Sequence, residues 1–200
     1  MKKLIIGISG FATSGKDTCA SLVCSYLDHA GFKSKTFSFA NALKQDIDDF
    51  CTQKIGISAF TTEPLLKSKI RSILISYGQI QRDLSNGTYW IHKVSPKIDD
   101  FFNLGGNVAI VPDLRFKEFE YDELDYIRSF DNSIIVNVER SDNNNQIKAA
   151  HESENKYYKI LQNESDIKIK WESSNDVAYL NSQISDLIKL INLKLNLEIK

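Results

Sequence analysis

Apolar positions along this chain fall in short unbroken runs, separated by longer stretches with helical spacing. The first run, KKLIIGIS, stops against Gly10 and has the pattern of a strand buried on both faces. After Gly15, the small and apolar residues Ala20, Val23, Cys24 and Leu27 recur at three- and four-residue intervals, which predicts a helix with Gly31 as its natural stop. KSKTFSF, residues 33–39, alternates as a second strand. Helical material follows, its longest piece at residues 65–84. NVAIV (107–111) and SIIVNV (133–138) predict further buried strands, DIKIKW (166–171) a shorter one, and a helix from about Val177 closes the chain. Strands separated by helices predict an α/β fold, a parallel sheet covered by helices on both faces.

Composition adds limits. The chain has 200 residues, which suits a single domain over residues 1–200. A chain of that size buries roughly 70% of the surface its unfolded form exposes and needs no disulfide or metal to fold. Acidic and basic residues nearly cancel, for a formal charge of −1, and no basic stripe appears, so polymeric nucleic acid is not the expected partner. Cys19, Cys24 and Cys51 lack C-x-x-C spacing and are odd in number, which reads as small apolar residues in a reducing compartment. The opening MKKLIIGISGF runs straight into a glycine loop with no cleavage site, and no apolar stretch approaches the ~20 residues of a membrane span. A cytoplasmic protein is expected.

The chemistry starts in GISGFATSGKDT, residues 7–18, which nearly fits the phosphate-loop pattern G-x-x-x-x-G-K-[ST]. Gly10, Gly15 and Lys16 fall in register; Asp17 holds the hydroxyl position and Thr18 comes one residue late. The context is right: strand, glycine turn, helix N-terminus. Such a turn aims backbone amides at one anion, and the helix adds its unpaired amides and positive dipole end. Gly10, Ala12, Thr13, Ser14, Gly15, Lys16, Asp17 and Thr18 are therefore the expected ATP-binding residues, with the Lys16 ammonium on the β- and γ-phosphates. Residues 17 and 18 lie about 100° apart on the first helical turn, so one of them faces a metal and the other does not. Asp17 turned outward is favourable at a helix N-terminus by ~0.3–1 kcal/mol. Thr18 is then the expected Mg²⁺ ligand.

The spacing G-K-x-T resembles nucleoside monophosphate kinases, and G-K-D-T is similar to the deoxynucleoside monophosphate kinases of tailed bacteriophages. Three later stretches extend the likeness over nearly the whole chain in order. FSFANALKQ resembles that family's F-A-x-x-L-K segment, IVPDLRFKEFE its P-D-x-R-F-x-x-E segment, and HESE (151–154) its H-x-S-E element. The resemblance implies a P-loop three-layer fold with a five-stranded parallel sheet in the order 2-3-1-4-5. It also implies an acceptor-binding segment at residues 46–97, a short lid at residues 140–155 containing DNNNQ, and ATP with Mg²⁺. The implied reaction transfers the γ-phosphoryl of ATP to a deoxynucleoside 5′-monophosphate; a homodimer is compatible with the likeness.

Phosphoryl transfer needs two anionic substrates held in line and cations where charge passes. Lys44, Arg71, Arg82 and Arg115 are the candidates for the acceptor phosphate. Arg115 lies just past a buried strand, and its planar fork suits phosphate; a surface pair with Glu118 is the structural alternative. Asp113 at the strand end would hold Mg²⁺ through water or hydrogen-bond the substrate, or simply form a turn. Arg71 and Arg82 are eleven residues apart, roughly 16 Å along a helix, too far to grip one phosphate together, so one would touch phosphate while the other is solvated or paired; Arg82 matches the family better. Trp90 would stack on the acceptor base or fill the core. Arg140, past the fourth strand, sits where kinases of this kind carry lid arginines, and a surface ion pair is its alternative. His151 is expected to be structural. Two rivals remain open: a P-loop kinase of another phosphorylated acceptor, such as phosphomevalonate or dephospho-coenzyme A, and a nucleotide-binding module without turnover.

Overall fold

A computed structural model of the chain describes residues 3–141 and 152–196. Strand β1 (Leu4–Ser9) is buried at every position, because it is the middle of the sheet. Its neighbours are β3 (Val108–Val111) and β4 (Ser133–Arg140), with β2 (Ser34–Thr36) beyond β3 and β5 (Ile167–Trp171) beyond β4. Every pairing is parallel. The order β2-β3-β1-β4-β5 is the expected one.

Period-two alternation sorts the core into two layers. Leu4, Ile6 and Ile8 face α1 (Lys16–His29) and α8 (Ser185–Leu195), packing on Val23, Leu27, Leu187 and Ile191. Ile5 faces the other way, toward α2 (Phe39–Phe50), α4 (Tyr89–Asn103) and α5 (Glu123–Arg128). Gly7 shares that second face, where a side chain would press on Leu114, Ile135 and Ile127. A smaller cluster around Ile47, Cys51 and Ala59 joins α2, a π-helical turn (Cys51–Ile55) and α3 (Pro64–Leu84). The remaining helices are α6 (Glu152–Asn163), before β5, and α7 (Val177–Gln183), after it.

Local chemistry explains the ends. Helix α1 closes with a Schellman turn: Phe32 N–H donates to Leu27 C=O at 2.9 Å and Gly31 N–H to Asp28 C=O at 3.1 Å. Gly31 has the positive φ of 81° that this turn demands. The closing helix expected from about Val177 begins there but breaks at Ile184, which separates α7 from α8. Ile184 is buried in the core, so the chain turns to keep the apolar face of α8 on β1. Two expectations, the lid stretch DNNNQ and His151, lie outside the described residues.

Among the described residues, no helix is long and apolar enough to cross a membrane.

Candidate active site at the carboxyl edge of the sheet

Parallel strands bring all their carboxyl ends to one edge, and the ends of β1, β3 and β4 lie side by side there. Ligands of open α/β sheets bind at such edges where the strand order reverses. Between β1 and α1 the chain makes a tight turn with three residues at positive φ: Gly10 at 149°, Thr13 at 62° and Gly15 at 96°. For a β-branched residue such as Thr13 this is a strained conformation. The two glycines are required by space as well. A Cβ on Gly10 would lie 2.3 Å from Val138 O at the end of β4, and one on Gly15 would lie 2.5 Å from the Trp171 ring. The turn thus rests directly on the last residues of β4 and β5.

Helix α1 starts at Lys16 with no side chain capping its N-terminus. Its first backbone bond is Cys19 N–H to Gly15 C=O, at 2.9 Å, so the amides before it have no intrahelical acceptor. Lys16 folds back over the turn and donates Nζ to Gly10 O at 2.9 Å and Phe11 O at 2.6 Å. Asp17 and Thr18 are both exposed on the first turn. The Ser14 hydroxyl is buried and has no hydrogen-bond partner among the described residues. An uncapped helix start, an ammonium in the turn and an unsatisfied hydroxyl together form a site suited to an oxyanion.

Arg140 does reach this turn. As the last residue of β4, it donates Nη1 to Thr13 O at 3.2 Å. Beneath the turn, the Asn137 amide donates to Ser9 Oγ at 3.1 Å and the Tyr158 hydroxyl to Asn137 Oδ1 at 3.3 Å. Within the turn, Phe11 stacks on the ring of the same Tyr158, centroids 3.9 Å apart and planes 24° from parallel. The sequence carried no signal for this support by Phe11, Tyr158 and Trp171, because those residues meet only through the sheet order.

The β3 side is built differently. Leu114 N–H donates to Ile8 O at 3.1 Å and fixes the chain past β3 beside the end of β1. Asp113 is buried, and its carboxylate accepts from Ser38 Oγ at 2.8 Å, Phe39 N–H at 3.2 Å and Ala40 N–H at 2.7 Å. It holds the N-terminus of α2, a task that sequence reading did not assign to it. Arg115 follows with its side chain exposed, while its backbone N–H donates to Glu123 Oε2 at 2.9 Å. Lys44 lies on α2 with Nζ 5.7 Å from the centre of the Phe60 ring, and Arg71 is exposed on α3.

Two expected substrate residues are corrected. Trp90 is 3% exposed, donates Nε1 to Gly78 O at 3.3 Å and meets Tyr77 and Tyr89 edge-on; its faces belong to the core and offer no platform for a base. Arg82 is 1% exposed and pairs with Asp122 through both terminal nitrogens, at 3.0 and 2.8 Å, so it is closed to a phosphate. Around Arg82 the carboxylates respond differently. Burial is the largest influence on Asp122 and raises it, but the hydrogen bonds and charge of Arg82, with the backbone amides of Glu118 and Glu123, together outweigh it and hold the group below the ordinary carboxylate range. Burial pushes Glu123 up to about 8, against the pull of Arg82 and with Asp122 adding to the rise.

For a metal, the protein donors are few. Among the described residues, no three His, Cys, Asp or Glu side chains converge. The Thr18 hydroxyl and the Asp113 carboxylate, the latter already engaged by three donors, are the side chains that could hold Mg²⁺, an ion that keeps several waters and takes other ligands from phosphates.

The chain matches no protein-family model and no curated protein. Among solved structures it is similar to TT1252 from Thermus thermophilus, with a TM-score of 0.51 at 10% identity, over 96% of this chain and 98% of that one. Dephospho-CoA kinase from Campylobacter jejuni gives a TM-score of 0.49 at 15% identity, over 96% of this chain and 98% of that one. Shikimate kinase from Bacteroides thetaiotaomicron gives 0.42 at 11% identity, over 94% and 98%. Identities this low concern the path of the chain alone. The likeness to TT1252 shows a shared fold: a five-stranded parallel sheet in the order β2-β3-β1-β4-β5, with a glycine turn after its central strand and helices around it.

Replacing Gly15 by Ala is expected to lower stability by about 1–3 kcal/mol from backbone strain, with more from the Trp171 contact. Gly31→Ala, at positive φ but in open space, is expected to cost about 1–2 kcal/mol and no more. Equal losses for the two in chemical denaturation would contradict the packing of Gly15 on Trp171. Glu123 makes a separate prediction. Between its ordinary value of 4.5 and about 8, the folded protein holds a proton that the unfolded chain has released. Stability relative to Glu123→Gln should therefore fall as pH rises through that window. A flat difference would contradict the raised value.

Proposed function

We propose that this protein is an ATP-dependent phosphotransferase acting on a small phosphorylated acceptor, a deoxynucleoside 5′-monophosphate in the reading favoured here. The products are ADP and the deoxynucleoside diphosphate. The observation that carries the proposal is the turn at residues 10–18, with its uncapped helix start and Lys16 folded across it.

In the proposed reaction an oxygen of the acceptor phosphate attacks the γ-phosphorus, and the bond to the β,γ-bridging oxygen breaks with its electrons leaving on ADP. The acceptor is already ionised, so no general base is required. The chain's contribution is position and charge. The first-turn amides of α1 and the Lys16 ammonium would hold the donor's phosphates once Lys16 exchanges its carbonyl partners for phosphate oxygens. Arg140, beside Thr13, would neutralise charge on the group in transit, and Arg115 would hold the acceptor phosphate by its fork. Thr18 would help to hold Mg²⁺, which would supply further charge neutralisation when bound.

The acceptor class rests on motifs. Two of the stretches that carry the likeness to deoxynucleoside monophosphate kinases are joined in space, since Asp113 of PDLRF caps the helix that opens FANALK. The burial of Trp90 removes one residue that favoured a base over another acceptor body, which keeps a kinase of a different phosphorylated acceptor as the second reading.

Lys16→Ala is expected to abolish ADP release from ATP with a mixture of deoxynucleoside monophosphates, in a coupled assay on protein whose thermal unfolding matches wild type. Unchanged turnover would remove the turn as the donor site. Turnover with phosphomevalonate or dephospho-coenzyme A, but with no nucleotide, would establish the second reading.

A further inference from the structure

Arg82 lies near the end of α3, in the segment expected to bind the acceptor, yet it is one of the most enclosed side chains of the molecule. Its guanidinium grips both oxygens of Asp122, donates to Glu118 Oε2 at 3.3 Å and stands 3.8 Å from Glu123 Oε1. The Phe116 ring covers it at 3.7 Å from Cζ, and Phe119 flanks it at 5.6 Å. All five partners belong to the stretch that follows Arg115.

Those partners also fold that stretch. Asp122 accepts the N–H groups of Glu118, Phe119 and Glu123, at 2.9, 3.3 and 2.7 Å. Glu123 Oε2 accepts those of Arg115 and Phe116, at 2.9 and 3.2 Å. The guanidinium thus sits at the centre of a loop whose backbone is tied to the acidic side chains that surround it, with Asp122 the one that neutralises it. A second contact locks the same pieces together. Gly87 N–H donates to Arg82 O at 2.8 Å, and a Cβ at Gly87 would lie 2.8 Å from Phe119 and 3.3 Å from Asp122. The turn after α3 is therefore pressed onto the loop that carries Arg115.

We infer that Arg82 is a positioning residue: through Asp122 and Glu123 it fixes the Arg115 backbone against α3, and so sets the geometry of the acceptor-phosphate clamp. The inference rests on the proposed role of Arg115. A planar fork bonds two carboxylates and stacks on a ring at once; an ammonium group does not.

Arg82→Lys keeps the charge and loses the fork. The full-length variant is expected to raise the acceptor KM by about tenfold or more, with the KM for ATP within about twofold of wild type. A role in folding alone would lower the active fraction and leave both KM values unchanged, which would overturn the inference. Glu118→Gln, at the half-exposed edge of the cluster, tests the same coupling if Arg82→Lys folds poorly, and should shift the acceptor KM in the same direction. The double variant Arg82→Lys/Arg115→Ala should have an acceptor KM no worse than Arg115→Ala alone, because one residue acts through the other; additive losses would overturn the inference. Hydrogen exchange gives a readout independent of turnover. In Arg82→Lys, amides of residues 115–123 should exchange about tenfold faster while those of β1 and β4 stay protected, and unchanged exchange at 115–123 would overturn the inference. Failure of the phosphotransferase reading appears elsewhere, as ADP release that survives Lys16→Ala.

Discussion

No carbon atom fits between the turn after β1 and the strand ends beneath it. At Gly10 the backbone lies on the Val138 carbonyl, and at Gly15 on the Trp171 ring. This contact depends on the sheet order, since β4 and β5 must lie on one side of β1 for both supports to be present. It depends equally on the glycines, which take positive φ and carry no side chain. Once the turn is seated, α1 has to start at Lys16 with its amides uncapped, and Arg140, two residues past Val138, comes to its rim. The donor side of the site follows from how the sheet is wound.

The acceptor side depends on buried charge. Removing a carboxylate from water is costly unless donors surround it, and the chain past β3 contains three that are buried. Asp113 is satisfied by the first amides of α2, Asp122 by Arg82 and its own loop, and Glu123 by two loop amides and a held proton over much of the pH range. Each of these solutions also joins two elements: β3 to α2, and α3 to the loop before α5. The charges that hold the acceptor segment in place are thus different from Arg71 and Arg115, which are exposed.

How much was legible beforehand follows the range of the interactions. The run LIIGIS, the glycine spacing and the apolar face of α1 are local, and they located β1, the turn and α1. The sheet order came through the family likeness, because pairing among strands a hundred residues apart leaves no mark in periodicity. The enclosure of Arg82 was out of reach for the same reason, while the core alternative for Trp90 was written locally. The carboxylates that enclose Arg82 lie 36 to 41 residues further on, and its own helix gives no hint of them. Trp90 has the apolar spacing of a core residue, shared with Val94 and Ile98, and that pattern outweighs the attraction of an aromatic near a binding segment. Asp113 was placed correctly at a strand end, but its capping of α2 required knowing that β2 and β3 are neighbours.

Donor binding as proposed depends on backbone amides at the start of α1 receiving phosphate oxygens. ¹H–¹⁵N correlation spectra of the protein, titrated with a nonhydrolysable ATP analogue and Mg²⁺, read those amides one by one. Saturable shifts at residues 13–18, largest at Lys16 to Thr18 and absent when adenosine replaces the analogue, are the result the account predicts. Unmoved resonances at residues 13–18, while the analogue binds elsewhere on the chain, would contradict it.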